Sequence, residues 1–205
     1  MATLIDIHPD NPPARLIERV LETITRGGII VYPTDSGYAL GCQIGNKTAI
    51  AKMRHIRELN PQHNFTLMCR DLTDIAAYAQ VDNIIFRFLK AHTPGPYTFV
   101  LLATRAVPHW LAHPKRKTIG IRISAHRVIQ TLLSVLEQPL ISTTLILPGE
   151  VLPMSEIHEI QDRLKKQVDL IVNSGFCGVQ PTTIVDLTSG LPEVIRQGKG
   201  NIDWT

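Results

Sequence analysis

The spacing of apolar residues along the chain predicts an alternation of helices and short strands. Apolar residues recur every three or four positions in five or six segments, and most of these segments begin with a residue that favours a helix start. The expected helices begin at or near Asn11-Pro12, Asn46, Asp71, Ile84, Ser124 and Ser155.

Short runs rich in β-branched residues separate these segments and predict eight strands. One of them, 118–123, alternates like a half-buried strand and would place Arg122 on its polar side. The expected strands are 29–32, 65–69, 98–102, 118–123, 140–141, 169–172, 182–187 and 193–196. No linker, repeat or low-complexity stretch interrupts the succession. It therefore predicts one mixed α/β domain over residues 1–205, with a β-sheet flanked by helices.

Composition narrows the class of protein. The chain is 44% hydrophobic and 19% charged, as expected of a packed globule. It has no apolar run of the roughly 18 residues that a membrane span requires, and its first residues carry acidic groups where a signal peptide would be basic. Its three cysteines are too few and too dispersed for a disulfide scaffold or a four-cysteine zinc site. These features predict a reduced, cytoplasmic protein without a membrane segment.

The net charge of +3 neither requires nor excludes a nucleic-acid partner. Basic residues cluster at Lys115, Arg116 and Lys117, and Arg122 and Arg127 follow shortly after. A solvated loop is the usual explanation for such a cluster, and a contact with a polyanion is the alternative.

A polar segment, Pro33-Thr34-Asp35-Ser36-Gly37, follows the first expected strand. Pro33 is expected to end that strand, and Gly37 permits a backbone conformation denied to other residues. The segment is either a simple turn or part of a ligand site at the end of a buried strand.

Other motifs favour a site for anions over a metal site. The segment 41–48 resembles a phosphate-binding P-loop, but Asn46 stands where the motif needs a glycine, so we interpret Asn46 as a helix cap. No histidine or cysteine spacing predicts a metal site, and no GxSxG motif is present. Hydroxyls and arginines instead recur near expected strand ends, a combination that suits phosphate and carboxylate oxygens. They are Thr34, Ser36, Arg57, Ser142, Thr143, Thr144, Thr182, Thr183 and Arg196.

Six ordered motifs carry a resemblance to a known family. They are GIIVYPTDSGYALGC at 28–42, TPGPYTFV at 93–100, TIGIR at 118–122, LISTT at 140–144, TTIVD at 182–186 and RQG at 196–198. Together they resemble the YrdC-like family over nearly the whole chain, and HNFTLMCRD at 63–71 with LILPG at 145–149 resembles its YciO branch.

The resemblance implies a YrdC-like fold, a twisted mixed sheet flanked by helices. It implies an L-threonylcarbamoyladenylate synthase that converts L-threonine, bicarbonate and ATP, with Mg²⁺, into threonylcarbamoyl-AMP and pyrophosphate. That product serves the modification of adenosine 37 in tRNA. It also implies roles for individual residues. Thr34, Ser36, Tyr38, His63 and Ser142 would contact substrate, Arg57, Thr144, Thr182 and Arg196 would bind nucleotide (ATP or AMP), and Arg57, Thr144 and His55 would be catalytic.

Two departures from the family pattern predict slow catalysis. His55 stands where the family has a lysine, and histidine with a pKa near 6.5 is mostly uncharged at neutral pH. Ile146 stands where the family has an asparagine and has no side-chain hydrogen bond to offer. A double-stranded RNA, tRNA or nucleotide-binding protein with little catalysis is therefore the alternative. In that case Lys115, Arg116, Lys117, Arg122 and Arg127 would contact nucleic acid.

Overall fold

A computed structural model describes residues 1–60 and 63–202. Within these residues, ten strands form one mixed sheet and six helices flank it. The strands are β1 Thr3–Asp6, β2 Ile30–Thr34, β3 Gly37–Gln43, β4 Thr66–Met68, β5 Tyr97–Leu102, β6 Thr118–Arg122, β7 Leu140–Thr144, β8 Leu170–Asn173, β9 Thr183–Asp186 and β10 Glu193–Arg196. The helices are α1 Ala14–Thr25, α2 Lys47–Ile56, α3 Leu72–Tyr78, α4 Asn83–His92, α5 Arg127–Leu136 and α6 Ile157–Leu164. The mixed α/β prediction is confirmed.

The sheet runs in the order β1-β8-β2-β3-β7-β4-β6-β5-β9-β10. Its centre is antiparallel, because β3 pairs with both β2 and β7 and β7 also pairs with β4. Parallel pairs flank this centre, with β8 beside β1 and β2, β6 beside β4, and β9 beside β5.

Two apolar layers cover the sheet, one on each face. Helices α1 and α5 pack in one cluster with inward residues of β1, β2, β8 and their neighbours, Tyr32 among them. Helices α2, α3, α4 and α6 pack in the other cluster with Tyr38, Leu40 and Phe99. We call these the α1 side and the α2 side. Within the described residues, α1 and α5 make their main strand contacts with β2 and β3, so they cover chiefly that part of their side.

The helix predictions hold best where capping and spacing agree. Asn46 caps α2 by accepting a hydrogen bond from the backbone N–H of Ala49 at 3.0 Å, as its interpretation as a cap requires. The first helix begins two residues later than expected, because Pro13 and not Asn11 precedes it. His126 takes the capping position of α5 that was expected of Ser124, whose hydroxyl is bound to Asp35 instead.

Two strands were missed, β1 and β3. Strand β3 follows the polar segment directly and pairs with β2 as a hairpin, in which Pro33 faces Tyr38 and Thr34 faces Gly37. The expectation that Pro33 ends the strand is therefore wrong. Strand β8 pairs with β2 only at Ile30 and Val31. Pro33 therefore has no β8 partner that would need a backbone N–H, and a proline is tolerated at this position.

Strand β6 is buried along its full length, contrary to the expected half-buried pattern. Arg122 is only 4% exposed and therefore does not face solvent. Among the described residues, no helix combines the length and hydropathy that crossing a membrane requires.

Candidate functional site

The polar segment forms the tight end of the β2–β3 hairpin. Gly37 has φ +124°, and a Cβ there would lie 2.8 Å from Cβ of Pro153, so this position requires glycine for both conformation and space. The buried Thr34 hydroxyl donates to the Gly37 carbonyl at 2.5 Å, and the Ser36 hydroxyl lies 3.4 Å from it. The segment is thus a turn with two buried hydroxyls.

Asp35 joins this turn to strand β6 and the start of α5. Its carboxylate accepts hydrogen bonds from Arg122, from the Ser124 hydroxyl at 2.7 Å and from the Ala125 N–H at 3.1 Å. Burial alone would raise the pKa of Asp35, but the Arg122 charge and these donors outweigh it and hold the pKa below its usual value. Arg122 Nη2 also donates to Thr34 Oγ1 at 3.2 Å, so the ion pair fixes the turn.

The chain beyond β10 also reaches the turn. Lys199 Nζ donates to the backbone carbonyl of Asp35. Nearby, Arg196 Nη2 donates to the Thr182 carbonyl at 2.9 Å, and the Thr182 hydroxyl is 2.8 Å from that of Thr98. The structure therefore brings the predicted pair Thr182 and Arg196 together, on the segment that Lys199 ties to the turn.

Hydroxyl groups line the sheet on the α1 side. Ser142 pairs with Thr66 across β7 and β4, and its hydroxyl is 2.5 Å from that of Tyr32. By strand alternation Thr144 shares this side with Ser142, and Thr98 lies on it because Phe99 packs on the other. We call this set the hydroxyl face; its members are Thr66, Thr98, Ser142, Thr144 and Thr182.

Gly120 widens the hydroxyl face between β4 and β5. A Cβ at this position would lie 3.1 Å from Oγ1 of Thr66. Thr66 and Thr98, on the strands to either side of Gly120, are partly exposed, so this part of the face is open to a ligand that hydrogen bonds with hydroxyls.

Arg57 approaches the same strand from the α2 side. Its Nε donates to the Ile146 carbonyl at 2.8 Å, and its Nη1 donates to the Thr143 hydroxyl at 2.6 Å. Burial lowers the pKa of Arg57 to about 10, so it remains protonated at neutral pH. Arg57 thus holds both ends of the segment that carries Thr144, but its hydroxyl partner is Thr143.

Comparison with known proteins places this arrangement in a family. A family model for the Sua5, YciO and YrdC proteins, described as telomere recombination, matches residues 22–198. The chain belongs to the Sua5/YciO/YrdC family. It is 51% identical to the uncharacterized protein YciO of Escherichia coli (strain K12) and 48% identical to an uncharacterized protein of Haemophilus influenzae, in each case over 98% of both chains.

Solved structures agree with this membership. The crystal structure of E. coli YciO matches with a TM-score of 0.95 over 98% of both chains, which confirms the YciO-branch resemblance. The crystal structure of P. abyssi Sua5 complexed with L-threonine matches with a TM-score of 0.87 at 20% identity, over 96% of this chain and 58% of that one. At that identity the second match shows a shared fold.

The positions that depart from the family pattern lie at the edge of this arrangement. His55 is exposed and lines a depression with Leu147, Pro148 and Arg163, so it is not brought to the hydroxyl face. Ile146 contributes its carbonyl to Arg57.

Two further predicted substrate residues lie on the α2 side. The buried Tyr38 hydroxyl donates to the Gly175 carbonyl at 2.8 Å and accepts from the Ser174 N–H at 3.2 Å, so it is used in tying β3 to the loop after β8. Burial and the nearby charges of Arg57 and Arg54 lower the pKa of His63 to about 4. His63 is therefore close to Arg57 but not part of the hydroxyl face.

The predicted nucleic-acid residues divide into two groups. Lys115, Arg116, Lys117 and Arg127 are exposed. Arg122 is buried in its ion pair with Asp35, so its assignment to a nucleic-acid surface is wrong: a side chain closed off from solvent cannot meet a polyanion.

Several residues at the site were not assigned roles from the sequence. Asp35 and Tyr32 lie within two positions of Thr34 in sequence, so their place next to the polar segment was a signal for them. Lys199 follows the RQG motif directly, but a lone lysine gives no indication of its partner.

The protein offers little of its own to a metal ion. Residues 1–60 and 63–202 contain no cluster of three His, Cys, Asp or Glu side chains, and the three cysteines are buried and free. The Asp35 carboxylate already accepts hydrogen bonds from Arg122, Ser124 and Ala125.

Proposed function

We propose that this protein is an L-threonylcarbamoyladenylate synthase of low turnover. It would convert L-threonine, bicarbonate and MgATP into threonylcarbamoyl-AMP and pyrophosphate, for modification of adenosine 37 in tRNA. The observation that carries the proposal is the hydroxyl face, which runs from Ser142 and Thr144 to Thr182 and adjoins the Thr34 turn. Membership of the Sua5/YciO/YrdC family supports it, as does the shared fold of a Sua5 that binds L-threonine.

The arrangement suits a reaction in which positioning does most of the work. The threonine amine and bicarbonate form a carbamate with loss of water, and a carbamate oxygen then attacks the α-phosphorus of ATP. The bond from that phosphorus to the bridging oxygen breaks, and pyrophosphate leaves with Mg²⁺. Thr34 and Thr144 would orient the carbamate, and Arg196 would neutralise charge on the phosphates. Arg57 would neutralise further charge at the end of β7, where its Nε reaches the Ile146 carbonyl just beyond Thr144.

The same geometry explains why turnover would be slow. Arg57 already donates two hydrogen bonds to the protein, to Thr143 and Ile146. Ile146 offers the substrates an aliphatic side chain, and His55 lies beyond the hydroxyl face. A missing polar contact in the transition state costs about 1–3 kcal/mol, or roughly 5- to 150-fold in rate.

Release of pyrophosphate tests the proposal. With ATP, Mg²⁺ and bicarbonate, it should depend on added L-threonine, and Thr144→Val and Arg196→Gln should each reduce it. Ile146→Asn, which restores an amide, should raise the rate by about 5- to 150-fold. Pyrophosphate release that does not depend on L-threonine would reject a synthase. So would the absence of pyrophosphate release, at high protein concentration, from both the natural chain and Ile146→Asn.

Binding without chemistry is the second candidate, and the exposed basic cluster favours it. Lys115, Arg116 and Lys117 are exposed, and none has a carboxylate partner among the described residues. Three uncompensated charges on one turn suit a phosphate backbone. This candidate requires a steep dependence of duplex RNA binding on salt concentration.

A further inference from the structure

A cavity of about 360 Å³ lies on the α2 side, between α2 and the segment 109–114. Its volume is near the lower end of the range typical of small-molecule sites, about 300–1,000 Å³. Its lining includes Lys47 and Arg54 from α2, the residues His63 to Phe65, and Trp110.

The two permanent cations of the cavity are paired with aromatic rings. Lys47 Nζ lies 5.8 Å from the centre of the Trp110 ring, and Arg54 Cζ lies 5.4 Å from the centre of the Phe65 ring. Neither cation forms a salt bridge in the described part of the chain, and no aspartate or glutamate lines the cavity. The cavity therefore carries a positive charge that the protein does not neutralise.

Arg54 has a further feature, which it shares among the described residues with Arg122. Its Nε is buried and has no hydrogen-bond partner among residues 1–60 and 63–202. Native proteins pair most buried polar atoms, so an exception requires an explanation such as an absent ligand. The lowered pKa of His63, caused by burial and by Arg57 and Arg54, agrees with a positive potential here and leaves the imidazole neutral.

Aromatic surface is the other component of the cavity. The Trp110 ring, which pairs with Lys47, is 39% exposed. The Phe65 ring, which pairs with Arg54, is buried. Indole faces stack on planar rings, and an amide such as that of Asn64 can donate to and accept from the edge of a base. A planar heterocycle linked to an anion combines both requirements.

This cavity is separate from the hydroxyl face. Ile50, Phe65 and Leu111, which line it, belong to the apolar cluster on the α2 side, whereas Ser142 contacts Tyr32 on the α1 side. We propose that the cavity is a second ligand site, which takes a nucleoside monophosphate with its base against Trp110 and its phosphate on Lys47 and Arg54. The proposal does not depend on synthase activity.

Tryptophan fluorescence with AMP as the probe tests this site. Trp204→Phe leaves Trp110 as the sole tryptophan. In that background AMP should quench the emission saturably, whereas adenosine and inorganic phosphate should each bind at least 10-fold more weakly. Arg54→Gln and Lys47→Gln should each weaken AMP binding about 10-fold. Lys52→Gln, on the same helix but outside the cavity lining, should leave it unchanged.

A second set of variants separates the two sites. Arg196→Gln and Thr144→Val alter the hydroxyl-face region and should not change the Trp110 signal. Thermal unfolding of Arg54→Gln confirms that the variant is folded, and Arg54→Lys, which keeps the charge, should recover part of the affinity. Absence of saturable quenching, or quenching lost in Arg196→Gln but kept in Arg54→Gln and Lys47→Gln, would overturn the proposal.

Discussion

Arg122 and Asp35 form a buried ion pair that connects strand β6 to the turn of the β2–β3 hairpin. Their side chains are 5% and 14% exposed, and Arg122 also donates to Thr34. The pair therefore fixes the position of the buried Thr34 hydroxyl.

Removing one partner of this pair should destabilise the fold. Asp35→Ala would leave Arg122 buried without its counter-charge, at a cost of about 3–5 kcal/mol in the free energy of unfolding. Urea denaturation measures that loss. Glu22→Ala is the matched control, because the Glu22–Arg26 pair is exposed and should contribute less than about 1 kcal/mol. Equal effects of the two substitutions would show that the Asp35 pair is not structural.

The same pair predicts a dependence of stability on pH. Because folding lowers the pKa of Asp35, its contribution is complete above the unfolded value of about 4 and is lost as pH falls through the folded pKa. Asp35→Asn should therefore lose less stability than the natural chain between pH 5.5 and pH 3. Unfolding free energies at the two pH values test this. Parallel losses in both proteins would contradict it.

Ser142 and Thr144 share one side of β7 but should respond differently to substitution. Ser142→Ala would leave the buried Tyr32 hydroxyl without its partner, at about 1–3 kcal/mol. Thr144→Val leaves no such group and should change stability by less than about 0.5 kcal/mol. It should instead weaken threonine or ATP binding, which calorimetry measures.

A double variant checks the role of Ser142. If its hydroxyl serves Tyr32, then Tyr32→Phe combined with Ser142→Ala should cost less than the sum of the single changes. Additive costs, together with lost threonine binding in Ser142→Ala alone, would instead assign Ser142 to the substrate.

The orientation of Arg57 by Thr143 gives a fourth prediction. Arg57→Gln should weaken ATP binding by about 10- to 100-fold, since a hydrogen bond to a charged group contributes about 1.5–3 kcal/mol. Thr143→Val should produce a smaller loss, because it frees the guanidinium that the hydroxyl holds at 2.6 Å. Thr143→Ser keeps that hydroxyl and should bind ATP like the natural chain. If Thr143→Val and Thr143→Ser bind equally, the contact does not orient Arg57.

How much of this could be predicted from the sequence depends on the kind of signal. The inward face of α2 and its Asn46 cap were predictable, because apolar spacing and capping chemistry are local. The sides of β7 were not. Three successive hydroxyl residues, Ser142 to Thr144, follow an expected strand of only two residues. So short a strand does not determine which of the three hydroxyls points to which face of the sheet.

Long-range pairing and unusual strand composition account for the other failures. Arg122 was expected on a polar side, but its burial depends on Asp35, a partner 87 positions away. Strand β3 was missed because its residues Gly37, Gly41 and Cys42 lack the usual strand composition. Gly41 is nevertheless required there, since a Cβ would lie 2.7 Å from the Tyr32 ring.

The exposed basic cluster supplies the last prediction, which concerns nucleic acid. Replacing Lys115, Arg116 and Lys117 with glutamine should weaken binding to duplex RNA and reduce the magnitude of the salt slope, by about 0.9 for each phosphate that the protein no longer neutralises. The combination Arg15→Gln, Lys52→Gln and Lys90→Gln removes the same charge from other exposed positions and is the matched control. Filter binding between about 50 and 200 mM salt measures both slopes. Equal reductions in the two triple variants would mean that net charge, and not this cluster, governs RNA binding.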